Sequence, residues 1–210
     1  QRVASEAVMQ LYQRLDKPLA RVLAKAEEAG ITVDPLVLKT ISKEFEHEIL
    51  QLEKQIHQLA GREFNIGSPK QLGEILFQDM GLEGGKKSKK TGAYSTGVEV
   101  LEALDISGVE IASLVLRWRQ LSKLKSTYSD ALPLQIKADG RVHTHFSMAT
   151  TNTGRLSSSD PNLQNIPIRT EAGNRIRTAF VAQKGCKLLS ADYSQVELRL
   201  LADMAGIDTL

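Results

Sequence analysis

Asp34-Pro35-Leu36-Val37-Leu38-Lys39-Thr40-Ile41-Ser42-Lys43-Glu44-Phe45 opens the stretch that decides the fold, which continues to Leu59-Ala60-Gly61. Asp34 is a good N-cap and Pro35 pre-sets φ for the first helical turn. Beyond them Leu38, Ile41, Phe45, Ile49, Leu52, Ile56 and Leu59 recur at steps of three and four, an apolar stripe along one helix face. Gly61 ends it. A second stripe, Ile111, Leu114, Trp118, Leu121, Leu124 and Tyr128, predicts another long helix over 107–130. Two such stripes in one chain predict a long antiparallel helical hairpin whose tip reaches away from the body.

Working outward, Val3, Ala7, Leu11 and Leu15 share a helical face, residues 18–29 predict a short helix closed by Gly30, and Ile31-Thr32-Val33 is a brief extended link. Between the long stripes, Ser68-Pro69-Lys70-Gln71, Thr96-Gly97-Val98-Glu99 and Ser107-Gly108-Val109-Glu110 each fit the capping box, so a helix is expected at each. Gly84-Gly85-Lys86-Lys87-Ser88-Lys89-Lys90-Thr91-Gly92 reads as a mobile basic loop. After Pro133 the texture changes. Residues 141–150 alternate, with Val142, Thr144, Phe146 and Met148 on one face and Arg141, His143, His145 and Ser147 on the other, as in a strand with one wet face. A polar loop follows; a second strand is expected over 175–181, a third, buried one over 187–191, and a helix over 193–205 with Val196, Leu200 and Met204 on one face. The fold class is α+β: a helical first part, then the opening of an antiparallel sheet domain.

The composition, 41% hydrophobic and 25% charged over 210 residues, excludes disorder of the whole chain. No stretch approaches the roughly 18 consecutive apolar residues of a membrane span, and the first residues lack a secretory layout, so no membrane association and a cytoplasmic location are expected. The single cysteine, Cys186, reads as a small core residue and agrees with a reducing compartment. Gln1 in place of Met, and a last segment without a capping signal, lead us to expect a piece of a longer protein.

The net charge of +2 conceals local patches. Lys86, Lys87, Lys89 and Lys90 form one, Arg117, Arg119, Lys123 and Lys125 a second, and five arginines face only Asp160 and Glu171 between residues 141 and 180. Such patches beside polar loops suit a phosphate-tracking surface, although any single one reads first as a solvated helix face or a soluble loop. Asp192 sits between an expected strand and helix. There a carboxylate either binds a hard divalent cation or complements a helix dipole. Glu197 completes Ser194-Gln195-Val196-Glu197, a capping box, or else faces the same pocket as Asp192. His143 and His145 lack a third ligand at recognisable spacing and read as exposed strand residues.

Asp192-Tyr193-Ser194-Gln195-Val196-Glu197-Leu198-Arg199 resembles motif A of the family A DNA polymerases, the bacterial DNA polymerase I type. Gly154-Arg155-Leu156-Ser157-Ser158, continuing through Asp160-Pro161-Asn162-Leu163-Gln164-Asn165-Ile166-Pro167, resembles the palm segment before it, and Lys123-Leu124-Lys125-Ser126-Thr127-Tyr128 resembles part of the thumb. The resemblance implies a lead-in helix over 1–17, a mainly helical thumb over 18–130 and the amino-terminal part of the palm over 131–210. It implies that Asp192 binds both catalytic Mg²⁺ ions with help from the Tyr193 carbonyl, in a polymerase that adds deoxynucleotides to a primer 3′-hydroxyl during replication and repair. Glu197 would lie under the sugar of the incoming nucleotide and exclude a 2′-hydroxyl. Arg155 and Gln195 match residues that touch the minor-groove edge of the primer-terminal pair and the incoming nucleotide, where acceptors sit at nearly constant positions. Asn162, Gln164 and Asn165 match residues near the primer and template backbone, Arg169 a basic residue near the active site, and Arg119, Lys123 and Thr127 thumb positions facing DNA. The implied partners are primer-template duplex and deoxynucleoside triphosphates, for a nucleoid-associated monomer. The family's second catalytic aspartate, in a His-Asp-Glu motif, and its fingers helix have no counterpart in these residues. One carboxylate does not make a two-metal site, so no activity is expected of the 210 residues alone; the alternative is a non-catalytic helical module that binds duplex DNA.

Overall fold

The computed structural model describes residues 9–87 and 92–207. The chain enters as α1 (Met9–Leu11), a π-helical stretch (Tyr12–Asp16) and α2 (Lys17–Ala29). Leu11 and Leu15 are exposed; Val3 and Ala7 lie outside the described residues. Gly30 closes α2 at φ +59°, where an added Cβ would come within 2.8 Å of the His143 ring. β1 (Ile31–Val33) then leads into α3 (Pro35–Ala60). The Asp34 carboxylate accepts from the backbone N–H of Leu36 and Val37 at 2.9 and 3.2 Å, and Gly61 ends the helix in the left-handed region, as expected.

The second long helix, α6 (Glu110–Leu124), continues into a π-helical turn (Lys125–Ser129) and runs antiparallel to α3. Ser42 Oγ donates to Asp130 at 2.6 Å near one end, and Trp118 Nε1 donates to Glu53 at 3.0 Å toward the other. Leu38, Ile41, Phe45, Leu52 and Ile56 on α3 meet Ile111, Leu121, Leu124 and Tyr128 in one core, where each large side chain contributes about 1.5–3 kcal/mol by leaving water. α6 buries more than the expected stripe: Ala112 and Val115 are also fully buried, because α5 (Val98–Ile106) packs on the helix as well, bringing Leu101 and Leu104. α4 (Pro69–Glu74) continues as a π-helical turn (Ile75–Asp79).

Of the three capping boxes only Ser68 caps, its Oγ accepting from Gln71 N. Thr96 does not, because its hydroxyl and carbonyl are taken by Arg119, and α5 starts from Gly97. Ser107 ends α5 instead, its Oγ donating to the Ala103 carbonyl, and α6 begins three residues later than expected. In the basic loop a bridge joins Lys87 to Tyr94, with Lys87 Nζ 4.7 Å from the ring centroid; Lys89 and Lys90 lie outside the described residues.

The strand expected over 141–150 is two strands in two sheets. β2 (Arg141–Val142) and β5 (Phe180–Val181) flank β1 in a three-stranded antiparallel sheet, order β2-β1-β5. β3 (His145–Ser147) pairs with β4 (Ser157–Ser159), Phe146 opposite Ser158. The switch occurs at buried Thr144, whose Oγ1 lies 2.8 Å from the Pro161 carbonyl and 2.5 Å from Ser158 Oγ. His143 is no free strand histidine: its ring nitrogens lie 2.7 Å from the Glu27 carbonyl and 2.9 Å from the Asp139 carboxylate. Where a strand was expected from 175, residues Glu171–Arg177 form α7, capped by Thr170 Oγ1 accepting from Gly173 N at 3.2 Å. Gly173 is required there, since a Cβ would lie 2.2 Å from the Pro167 carbonyl oxygen.

The expected buried strand over 187–191 is also corrected. No strand among the described residues pairs with it, and Leu189 is 92% exposed. Cys186 at its start is exposed rather than a core residue. α8 (Val196–Ala205) follows, with Val196, Leu200 and Met204 all exposed and Ala202 alone buried. Among the described residues no helix is long and apolar enough to cross a membrane.

Candidate nucleic-acid interface

The helix expected from residue 193 begins at Val196 because Gln195 adopts the left-handed region at φ 50°, ψ 37°. A side chain there costs about 1–2 kcal/mol, and the turn separates Asp192 and Tyr193 from the helix. Asp192 is exposed, and among the described residues no hydrogen bond or ion pair engages its carboxylate. It is therefore available as a hard oxygen ligand. Among the described residues no three His, Cys, Asp or Glu side chains converge to hold a metal; one exposed carboxylate offers a single oxygen ligand of the kind that a hard divalent cation takes.

Arg199, one turn into α8, folds back so that its Nε donates to the Ser194 carbonyl at 3.1 Å, fixing the turn from the helix side. Ser194 does not cap α8, so the capping-box reading of Glu197 fails. The Glu197 carboxylate instead accepts from the Arg155 guanidinium, 42 residues earlier. This ion pair brings the β3–β4 loop to the first turn of α8, and two of the expected site residues together.

The loop is shaped locally. Thr151 Oγ1 donates to the Arg155 carbonyl at 2.7 Å. Asn162 Oδ1 accepts from the backbone N–H of Gln164 and Asn165 at 3.0 and 3.2 Å, an Asx turn that leaves the amide side chains of Gln164 and Asn165 exposed. Ile166 anchors this turn in the core, while Arg169 beyond it is exposed.

The basic group on α6 divides by partner. Arg117 pairs with Glu48 at 3.3 Å and Lys125 with Asp130 at 2.9 Å. Arg119 donates from Nη1 to the Thr96 carbonyl at 2.5 Å and from Nη2 to Thr96 Oγ1 at 3.2 Å. Its half-buried guanidinium is pushed below the usual arginine range by desolvation. Lys123 and Thr127, four residues apart on the same helix face, are exposed, and Lys123 has no acidic partner among the described residues. Arg119 lines a cleft of about 600 Å³ with Gly67, Pro69, Tyr94, Thr96 and Trp118.

Two groups that carry the arrangement were missed in the sequence. Thr96 reads as a helix cap, and only the fold shows it holding Arg119. Arg175 on α7 donates to Glu48 at 2.7 Å and also to Glu44, and stacks 4.7 Å above the Phe45 ring, tying α7 to α3. Burial alone would raise the Glu48 carboxyl, but the bonds and charges of Arg175 and Arg117 outweigh it and hold Glu48 below the usual carboxylate range.

Residues 36–210 match the model of DNA polymerase family A. The chain belongs to that family. It is 54% identical over its whole length to DNA polymerase I of Rhizobium leguminosarum, covering 21% of that protein, and 48% identical over 98% of its length to the thermostable DNA polymerase I of Thermus aquaticus, covering 25% of it. The chain thus spans about a fifth to a quarter of the length of these family A relatives. Its fold superposes on the POL domain of Pol1 from M. smegmatis, solved in complex with DNA primer-template and dNTP, with a TM-score of 0.83 at 39% identity over 95% of this chain and 35% of that one. The family A match takes in every expected site residue, from Arg119 to Glu197.

Proposed function

We propose that the chain forms the thumb and the amino-terminal part of the palm of a DNA polymerase I, with a lead-in helix over 1–17, thumb over 18–130 and palm over 131–210, in a cytoplasmic, nucleoid-associated monomer. The whole protein would extend a primer 3′-hydroxyl with deoxynucleotides on a DNA template. The observation that carries this is Asp192, exposed and unengaged among the described residues, three positions before the left-handed turn at Gln195 that opens the helix of Glu197, in a chain of this family. Asp192 and the Tyr193 carbonyl would hold Mg²⁺, which when bound activates the primer hydroxyl and stabilises the leaving pyrophosphate. Glu197 would exclude a 2′-hydroxyl, with Gln195 and Arg169 toward the nucleotide. Arg155, Asn162, Gln164 and Asn165 would contact the primer-template, and Arg119, Lys123 and Thr127 would face the duplex across the minor groove.

In the full-length polymerase Asp192→Ala should abolish primer extension while leaving duplex binding within about twofold, because an exposed carboxylate supports no packing. Retained turnover would remove the metal role. The 210 residues alone, with one carboxylate of the family's two-metal site, should not extend a primer; Mg²⁺-dependent extension by them would refute that part of the proposal. Their duplex binding should be weak and fall steeply between about 50 and 200 mM salt.

A further inference from the structure

The ion pair between Arg155 and Glu197 joins two residues for which the proposed function has separate uses, one at the primer terminus and one at the incoming sugar. Their side chains are 72% and 75% exposed. Neither charge is buried, so neither needs a partner for the fold to stand, and an exposed pair adds little to stability. Its consequence lies in what each group is kept from doing. A guanidinium bonded to a carboxylate has part of its donor fork occupied and its charge neutralised where a polyanion would approach.

The geometry points to Glu197 as a stand-in acceptor for Arg155, occupying it until a primer terminus arrives. On arrival the minor-groove acceptor of the terminal pair takes over the guanidinium N–H, and Glu197 is released toward the position of the incoming sugar. Primer-terminus binding and nucleotide binding are then coupled through the exchange of one hydrogen-bond acceptor, and the coupling runs both ways. This rests on the polymerase reading above and adds a role for Glu197 before any nucleotide is present.

The test is primer-template affinity of the full-length polymerase without nucleotide, at one salt concentration, for the wild type, Glu197→Gln, Arg155→Ala and the double variant. Glu197→Gln should bind about two- to fivefold tighter, the scale of an exposed ion pair, and the gain should vanish in the Arg155→Ala background. It should vanish equally on a primer ending in 3-deazaguanine, which lacks the minor-groove N3 acceptor. No gain from Glu197→Gln, or an equal gain without Arg155, overturns the exchange, the latter leaving only general charge repulsion. If Arg155→Ala alone leaves affinity unchanged, Arg155 is no DNA contact, and that part of the proposed function falls with the inference. If Arg155→Ala weakens binding and Glu197→Gln is neutral, the exchange alone is wrong.

Discussion

The α3–α6 hairpin and the segment from Cys186 through α8 are written in the same amphipathic language and end differently. In the hairpin nine of the thirteen stripe residues are buried and, of the rest, only Leu59 is exposed, while α5 covers a further face of α6. In the carboxy-terminal segment Leu189 is almost wholly exposed, Met204 is 86% exposed, and the stripe Val196, Leu200 and Met204 has no cover among the described residues. Periodicity states which face must leave water; it does not supply the surface that covers it. The hairpin holds itself together, whereas the segment bearing Asp192 shows, among the described residues, a backbone turn, the Arg199 bond, one exposed ion pair and a single buried side chain, Ala202.

The sharpest way to break this contrast is paired truncation. Phe45→Ala in the 210-residue chain should cost about 3–5 kcal/mol, and Leu200→Ala less than about 0.5 kcal/mol, both by chemical denaturation. Equal losses would mean that α8 is packed after all. Gly173→Ala comes next. With Pro167 in the way, the segment between α7 and the Asn162 turn must shift, at a cost of about 1–3 kcal/mol, read as a lowered Tm. Arg175→Ala should cost about 1–2 kcal/mol by leaving Glu48 with Arg117 alone and baring Phe45. A matching Arg199→Ala, at an exposed turn, should stay near zero in the same melt.

The smallest effect expected is one of pH. Glu48 and Asp130, the latter through Ser42 and Lys125 against the opposing effect of burial, have carboxyl pKa values lowered in the folded chain. Groups of this kind lend stability above their unfolded pKa and lose it as pH falls through the folded one. The hairpin should therefore weaken below about pH 4, by less than about 1 kcal/mol per group after solvent screening. A denaturation midpoint constant from pH 6 to pH 3 would contradict those pairings.

How much was legible follows from the range of each signal. The α3 stripe and its Asp34 and Gly61 boundaries are local, and the sequence alone locates them. So is the motif that singles out Asp192 and Glu197. The burial of Val115 depends on α5, which its own stripe does not show, and α7 starts from Thr170 to Gly173, ahead of the residues 175–181 that look like a strand, and runs into them. Residues 187–191 resemble a buried strand, but a strand exists only with a neighbour. The partner of Glu197 lies in another loop, and a capping box at perfect spacing gave no hint of Arg155.

The three-stranded sheet carries a consequence for the order of events during synthesis. Its middle strand, β1, is made early, yet its neighbours are residues 141–142 and 180–181. The hairpin can close as soon as α6 leaves the ribosome, since its contacts fall within residues 35–130, while β1 waits with both edges bare, first for Val142 and then for Val181. Local contacts form fast and distant ones slowly. The base of the hairpin is thus secured later than the arm above it, and for some hundred residues of translation it is an open sheet edge beside an already folded arm.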